Sequence, residues 1–238
     1  MLFIASLVRS AFGFGEAMVA VPLLTFWISL QAAAPLAVLA SVTVALIVVA
    51  QDWRHIDLRS AAGLLVSTLL GLPLGLFLLT GGHQRALRFG LGLVIALFSL
   101  YALKGQSRMK LQIENRGWLA VFGVSAGIMG GAFGMNGPPL AIYGALRRWP
   151  APKFRATLQA YFLPASTMGL IGFWRAGLWT RALTHEYLYA LPVIVPAVLI
   201  GRHINGRLDR EKFLKYIHVG LVVVGCVVMA QAAAGHGG

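Results

Sequence analysis

The chain has 238 residues, 58% of them hydrophobic and 11% charged, with a mean hydropathy of +0.78. A soluble domain carries about 25% charged residues, so a soluble globular enzyme or binding module is excluded. The formal net charge of +13 lies in short loops between apolar runs, where basic residues set membrane orientation, and no basic patch interleaved with aromatics points to nucleic acid.

The first element is an apolar segment broken by glycines, "SAFGFGEAMVAVPLL" at Ser10–Leu24. The stretch Met1–Val8 before it lacks a basic n-region, so a cleaved signal peptide is not expected. Three ordinary spans follow, at 35–50, 61–81 and 87–103, each near the length of about 20 residues that crosses a bilayer. A basic loop, 105–116, connects to a second broken segment within Gly117–Leu146, thirty residues without a charge. Its centre, "GGAFGMNGPPLAIYG", holds glycines, Asn136 and the pair Pro138–Pro139, which no uninterrupted helix accommodates cheaply. Three more spans follow, at 156–174, 187–203 and 213–233.

The halves repeat. "SAFGFGEAMVAVPLL" aligns with "GAFGMNGPPLAIYGA" at an offset of 121, and "WRHIDL" at Trp53–Leu58 meets "WRAGLW" at Trp174–Trp179 at the same offset. The organisation is an N-terminal repeat over 1–104, the basic connection 105–116 and a C-terminal repeat over 117–238, in one membrane domain. The fold class is all-α and polytopic, two inverted repeats, each a Gly-broken helix pair plus three transmembrane helices.

Loop charge separates two topologies. If both broken segments cross, Lys and Arg divide eleven to eight between the two sides. If each enters, turns at its glycines and leaves on the same side, the loops at 51–60, 104–116, 147–155 and 202–215 share one face, with 15 Lys and Arg against 4. The second arrangement obeys the positive-inside rule. Each hairpin arm is then about 13 residues, or about 20 Å of helix, which passes the midplane without crossing. Inverted repeats whose broken helices meet at the midplane are a transporter plan.

A break leaves backbone N–H groups unpaired at the start of the second arm, near Glu16 and Pro138, and lipid cannot satisfy them. Helix N-termini attract anions, and glycines let a ligand approach the backbone. The expected site is therefore a small-anion site between the tips, formed by Gly13, Phe14 and Gly15 in one half and Gly134, Met135, Asn136 and Gly137 in the other. Asn136 is the side-chain donor, with a purely structural turn role as its alternative. Ser41, Thr43, Thr157 and Gln159 sit on the spans after the breaks and either line the cavity or hold helices together.

Glu16 is the acid inside a long apolar run, and an intramembrane acid is functional by default. It is expected to take up a proton as the anion binds and so couple transport to protons; the alternative is a structural pair with Arg9. Arg9 in turn binds the anion or snorkels at the end of its short arm. The GxG at Gly13–Gly15 is no nucleotide fingerprint, because no strand precedes it. Cys226 stands alone and the six histidines have no ligand spacing, so neither a metal nor a cofactor is expected. No membrane-embedded nucleophile or acid pair suggests an enzyme. A channel or a non-transporting assembly protein is the alternative to a transporter, and a homodimer is left open.

The Gly-rich break followed by "VAVPLL", the second break "GAFGMNGPPL", the "HID" after the next span and the closing basic loop together resemble the sulfite exporter TauE/SafE family, over nearly the whole chain. The resemblance implies eight helical segments in two repeats, residence in the bacterial inner membrane as a multi-pass protein, and export of sulfite or organosulfonates. The chain departs from the family pattern at "GFGEA", where Glu16 replaces an expected glycine. Its first arm is also shorter than its partner, as a truncated or misassigned start would make it.

Overall fold

The computed structural model describes residues 1–12, 14–52, 57–104, 116–205 and 210–234. Every element among them is an α-helix: α1 (Leu2–Phe12), α2 (Glu16–Leu24), α3 (Leu30–Asp52), α4 (Leu58–Thr80), α5 (Gln84–Leu103), α6 (Arg116–Phe133), α7 (Gly137–Leu146), α8 (Ala151–Arg175), α9 (Arg181–Asn205) and α10 (Arg210–Ala233). Both expected breaks are present, between α1 and α2 and between α6 and α7. The six expected spans fall on α3, α4, α5, α8, α9 and α10.

Five helices among the described residues are long and apolar enough to cross a membrane: α3, α4, α5, α9 and α10. α8 has 25 residues but is not among them, and it is the helix that carries Thr157, Gln159, Tyr161 and Ser166. The outward surface is apolar. α4 exposes Leu70 and Phe77, and α9 exposes Leu188 and Tyr189. In water such faces would demand a partner; lipid covers them.

The arms of the breaks are unequal. α1 and α2 have 11 and 9 residues and α7 has 10, shorter than the 13 expected. α6 has 18, about 27 Å at 1.5 Å per residue. Its extra length lies along α4, where small residues let the backbones touch. A Cβ at Gly71 would fall 2.1 Å from the Val124 carbonyl oxygen, and one at Gly131 2.5 Å from that of Leu72. With Gly63 against Leu119 and Gly75 against Ile128 and Ala132, the two helices run parallel.

The packing pairs the two halves. α4 of the first half packs on α6 of the second, and α9 of the second packs on α1 of the first. α3 packs on α8 and α5 on α10, so each of these helices meets its own counterpart. α3 and α8 are antiparallel, since Val38 faces Gly169 and the Ser41 and Ser166 hydroxyls lie 3.5 Å apart. Exchange of the halves therefore carries the α4–α6 contact into α9–α1 and maps α3–α8 and α5–α10 onto themselves. The largest buried apolar cluster, around Met18, Ala34, Val38, Phe133 and Met135, lies where the two breaks meet α3.

Candidate functional site

The site begins with two glycines. Gly15 has φ 97° and Gly134 has φ 67°, a region that side chains with a Cβ rarely adopt. Each ends its first arm and lets the second start in a new direction. At Gly134 space also excludes a side chain, because a Cβ there would lie 2.7 Å from the Ala34 carbonyl oxygen. The second break is thus seated on α3 of the first half. Pro138 and Pro139 fall in the first turn of α7, where proline is tolerated because its missing N–H has no intrahelical acceptor.

The first break carries charge. Arg9 lies in the last turn of α1 and Glu16 in the first turn of α2, each at the helix end whose dipole suits it. Both are buried, at 3% and 1% exposure. Arg9 Nη1 donates to Glu16 Oε2 at 3.0 Å, and Ser6 Oγ donates to Glu16 Oε1 at 3.0 Å. Arg9 also donates to Ser41 Oγ through Nη1 and to Gln159 Oε1 through Nη2, the latter at 2.9 Å. Its guanidinium carbon stands 4.9 Å from the centre of the Phe162 ring, a cation–π distance. Arg9 Nε has no hydrogen-bond partner among the described residues. A buried charge pair survives only with such a set of partners, because desolvation opposes it.

The second break is neutral. Asn136 is the N-cap residue of α7, 8% exposed, and makes no capping bond with its side chain. Its amide bonds instead to Tyr161, whose hydroxyl lies 2.7 Å from that of Thr68. Asn136 Nδ2 also rests against Gly130, where a Cβ would stand 3.1 Å from it.

The two breaks face one cavity. It is lined by Arg9, Phe14, Gly15, Glu16 and Ser41 on one side and by Gly134, Met135, Asn136, Gly137 and Phe162 on the other. Of the residues expected from sequence, Phe14, Gly15, Gly134, Met135, Asn136, Gly137, Ser41, Glu16 and Arg9 all meet here. Gln159 joins through Arg9. Gly13 lies outside the described residues. Thr43 and Thr157 are placed elsewhere. Thr43 Oγ1 is 2.6 Å from the Tyr187 hydroxyl, and Thr157 Oγ1 accepts from the Asp57 N–H at 3.1 Å. Both hold a helix of one half to the other half.

Sequence reasoning missed Ser6, Phe162, Ser166 and Tyr161. A helical spacing signal was available for three of them: Ser6 precedes Arg9 by three, and Gln159, Phe162 and Ser166 follow one face of α8. Tyr161 has no such signal, since it turns away from that face toward Asn136.

At the end of α8 nearest the 51–60 and 147–155 loops, Lys153 Nζ is 2.7 Å from Asp57 Oδ2. Asp57 caps α4 by accepting from the Ser60 N–H at 3.1 Å. Burial pushes the Asp57 carboxyl up, but the bonds from Lys153 and Ser60 outweigh it and hold the group below its ordinary value.

Helices with lipid-facing surfaces, two glycine breaks and a buried ion pair at their meeting point define a multi-pass membrane protein of the broken-helix kind. Comparison with known proteins gives the family. The family model described as "Sulfite exporter TauE/SafE" matches residues 1–229, and the chain belongs to that family. It is 32% identical over 152 residues to a Cupriavidus necator protein described as "Probable sulfite/organosulfonate exporter TauE". That match covers 63% of this chain and 58% of the relative, a little over half of the relative's length. No solved structure matches the chain.

Proposed function

We propose that the chain is a secondary transporter that exports a small sulfur oxyanion, sulfite or an organosulfonate, and holds it between the tips of the two broken helices. The observation that carries this reading is the convergence of both breaks on one cavity containing a buried arginine. The family and the printed description of the relative point to the same substrate class. Arg9, with its unpartnered Nε, is the charge that the anion engages, and Asn136 is the neutral donor opposite.

Glu16 gives the cavity a resident anion. Its carboxylate occupies Arg9 in this state, so an incoming oxyanion competes with it. Protonation of Glu16 releases Arg9 and removes a like charge from the tip. Anion binding and proton uptake are thereby linked, and this is how transport is coupled to protons. The antiparallel course of α3 against its counterpart α8, and the exchange of contacts between halves, support an inverted repeat with three crossings per half, in which each broken pair is a hairpin. The membrane is then the bacterial inner membrane, with loops 51–60, 104–116, 147–155 and 202–215 all cytoplasmic. Of those loops, residues 53–56, 105–115 and 206–209 lie outside the described ones. Single cysteines placed near 110 and near 150, after replacement of Cys226, should label from the same face. Labelling from opposite faces rejects the hairpins.

The deciding experiment is counterflow of sulfite in liposomes containing the purified chain. Accelerated exchange that saturates with substrate supports a transporter. Non-saturating conductance identifies a channel, and no flux identifies a non-transporting assembly protein.

A further inference from the structure

The first break separates two cavities. On the side away from Arg9, Val8, Phe14, Gly15, Met18 and Val19 face His218, Ile217 and Leu221 of α10 across a second space. Phe14, Gly15 and Met18 line both, so the same residues separate the two spaces. The cavities differ in chemistry. The first holds an ion pair; the second is apolar except for the His218 ring.

His218 is an unusual residue for such a place. It is 8% exposed, and its Nδ1 is buried without a hydrogen-bond partner among the described residues. A buried polar nitrogen left unpaired costs free energy. Its ring lies edge-on to Phe98 of α5, with centroids 5.9 Å apart, so packing fixes the imidazole while leaving that nitrogen unused. Besides His218 itself, the titratable groups among the described side chains of the packed elements are Arg9 of α1, Glu16 of α2, Arg85, Arg88 and Tyr101 of α5, and Lys215, Tyr216 and Cys226 of α10. None of them lines the His218 cavity. Arg9 and Glu16 lie beyond the shared wall, where they pair with each other.

Gly15 sits at φ 97°, and the one atom near its Cβ position is Val8 Cγ1 at 3.7 Å. Phe14 is half-buried and held by two edge-on rings, Phe98 at 6.4 Å and Phe154 at 5.8 Å. Phe14 is the largest side chain shared by the two linings, so a passage between them would need it to leave these two ring contacts.

We propose that His218 is a second binding station for the transported oxyanion, reached from the Arg9–Asn136 cavity past Phe14 and engaged as an imidazolium. An imidazolium alone in that apolar space is costly, and so is an oxyanion alone. Together they form a charge-assisted hydrogen bond, so proton and anion occupy the station as a pair. The inference rests on the transport reading above and adds a step to it.

The test uses the full chain in detergent with ¹⁵N-labelled histidine. The His218 ring signals are assigned by their loss in His218→Gln, and sulfite and methanesulfonate are the probes. Calorimetry on His218→Gln, which lacks the second station, reports binding at the first cavity by itself. The expected result is that saturating anion moves the His218 ring to its imidazolium spectrum. In liposomes His218→Gln should lower maximal flux about tenfold, the range of one lost charged hydrogen bond, while the calorimetric Kd stays within twofold. Phe14→Ala should give the same spectral shift at lower anion concentration. If calorimetry shows binding and the His218 signals do not move, the station is rejected and the transporter stands. If neither anion binds at all, both readings fall.

Discussion

The two breaks occupy equivalent places and face one cavity, yet they solve the same problem differently. The first begins its second arm with Glu16, Ala17 and Met18, all of which carry backbone N–H groups, and places a carboxylate among them. The second begins with Gly137, Pro138 and Pro139, so two of its first three residues have no N–H to offer. One tip has donors and a resident anion; the other has given up backbone donors and presents the Asn136 amide. A symmetric pair of dipole tips, the simplest reading of the sequence, is therefore not what the fold builds. Under the proposed function, the difference means that the anion would be held asymmetrically, with charge from the first half and neutral hydrogen bonding from the second.

Arg9 is where this comparison breaks most readily. Arg9→Leu removes the cation and strands Glu16 beside Ser6. Truncating one member of a buried pair costs about 3–5 kcal/mol, so the variant should melt well below the parent and bind no anion. Retained binding at full affinity would move the site away from the first break. Glu16→Gln should cost less, because the amide oxygen can still accept from Arg9 while its NH2 donates to the Ser6 hydroxyl. We expect lowered thermal stability that methanesulfonate restores, as the ligand replaces the lost negative charge. We also expect binding that no longer strengthens as pH falls. Methanesulfonate keeps its charge over the range, so the pH profiles of the two forms compare the protein alone. Parallel profiles would make Glu16 a structural partner of Arg9 and nothing more.

The neutral tip predicts a smaller effect. Asn136→Leu should weaken anion binding about tenfold or less, the worth of a neutral hydrogen bond at about 0.5–1.5 kcal/mol. Ser125→Leu, on α6 but outside the cavity lining, is the control. Equal losses would remove Asn136 from the site. Smallest of all is the Asp57–Lys153 pair, where Lys153 is 42% exposed. Lys153→Met should cost at most about 1 kcal/mol at neutral pH. The folded Asp57 carboxyl titrates below its unfolded value, so the pair contributes above the unfolded pKa, and its contribution is lost as pH falls through the folded one. Denaturant unfolding of both forms at pH 7 and pH 3 checks this: the gap should narrow in acid.

How much of this was legible in one dimension depends on the range of each interaction. The charge-free runs and their interruptions could be read directly, because lipid forces every backbone group to be satisfied within its own segment. That made α3, α4, α5, α9 and α10 visible, and made "GFGEA" and "GMNGPP" stand out as breaks. Glu16 and Arg9 were visible for the same reason, since a charge in such a run has few explanations. What tertiary structure decided is the company those charges keep. Arg9 reaches Ser41 and Gln159 from positions 32 and 150 residues away, and no periodicity along α1 announces that. Ser41, Thr43, Thr157 and Gln159 looked alike as hydroxyl and amide groups after the breaks. Packing sent Ser41 and Gln159 to the arginine, and Thr43 and Thr157 to seams between the halves. A polar side chain in an apolar helix must find a partner, but which partner depends on the helix that arrives at that face, and that is set by the whole fold.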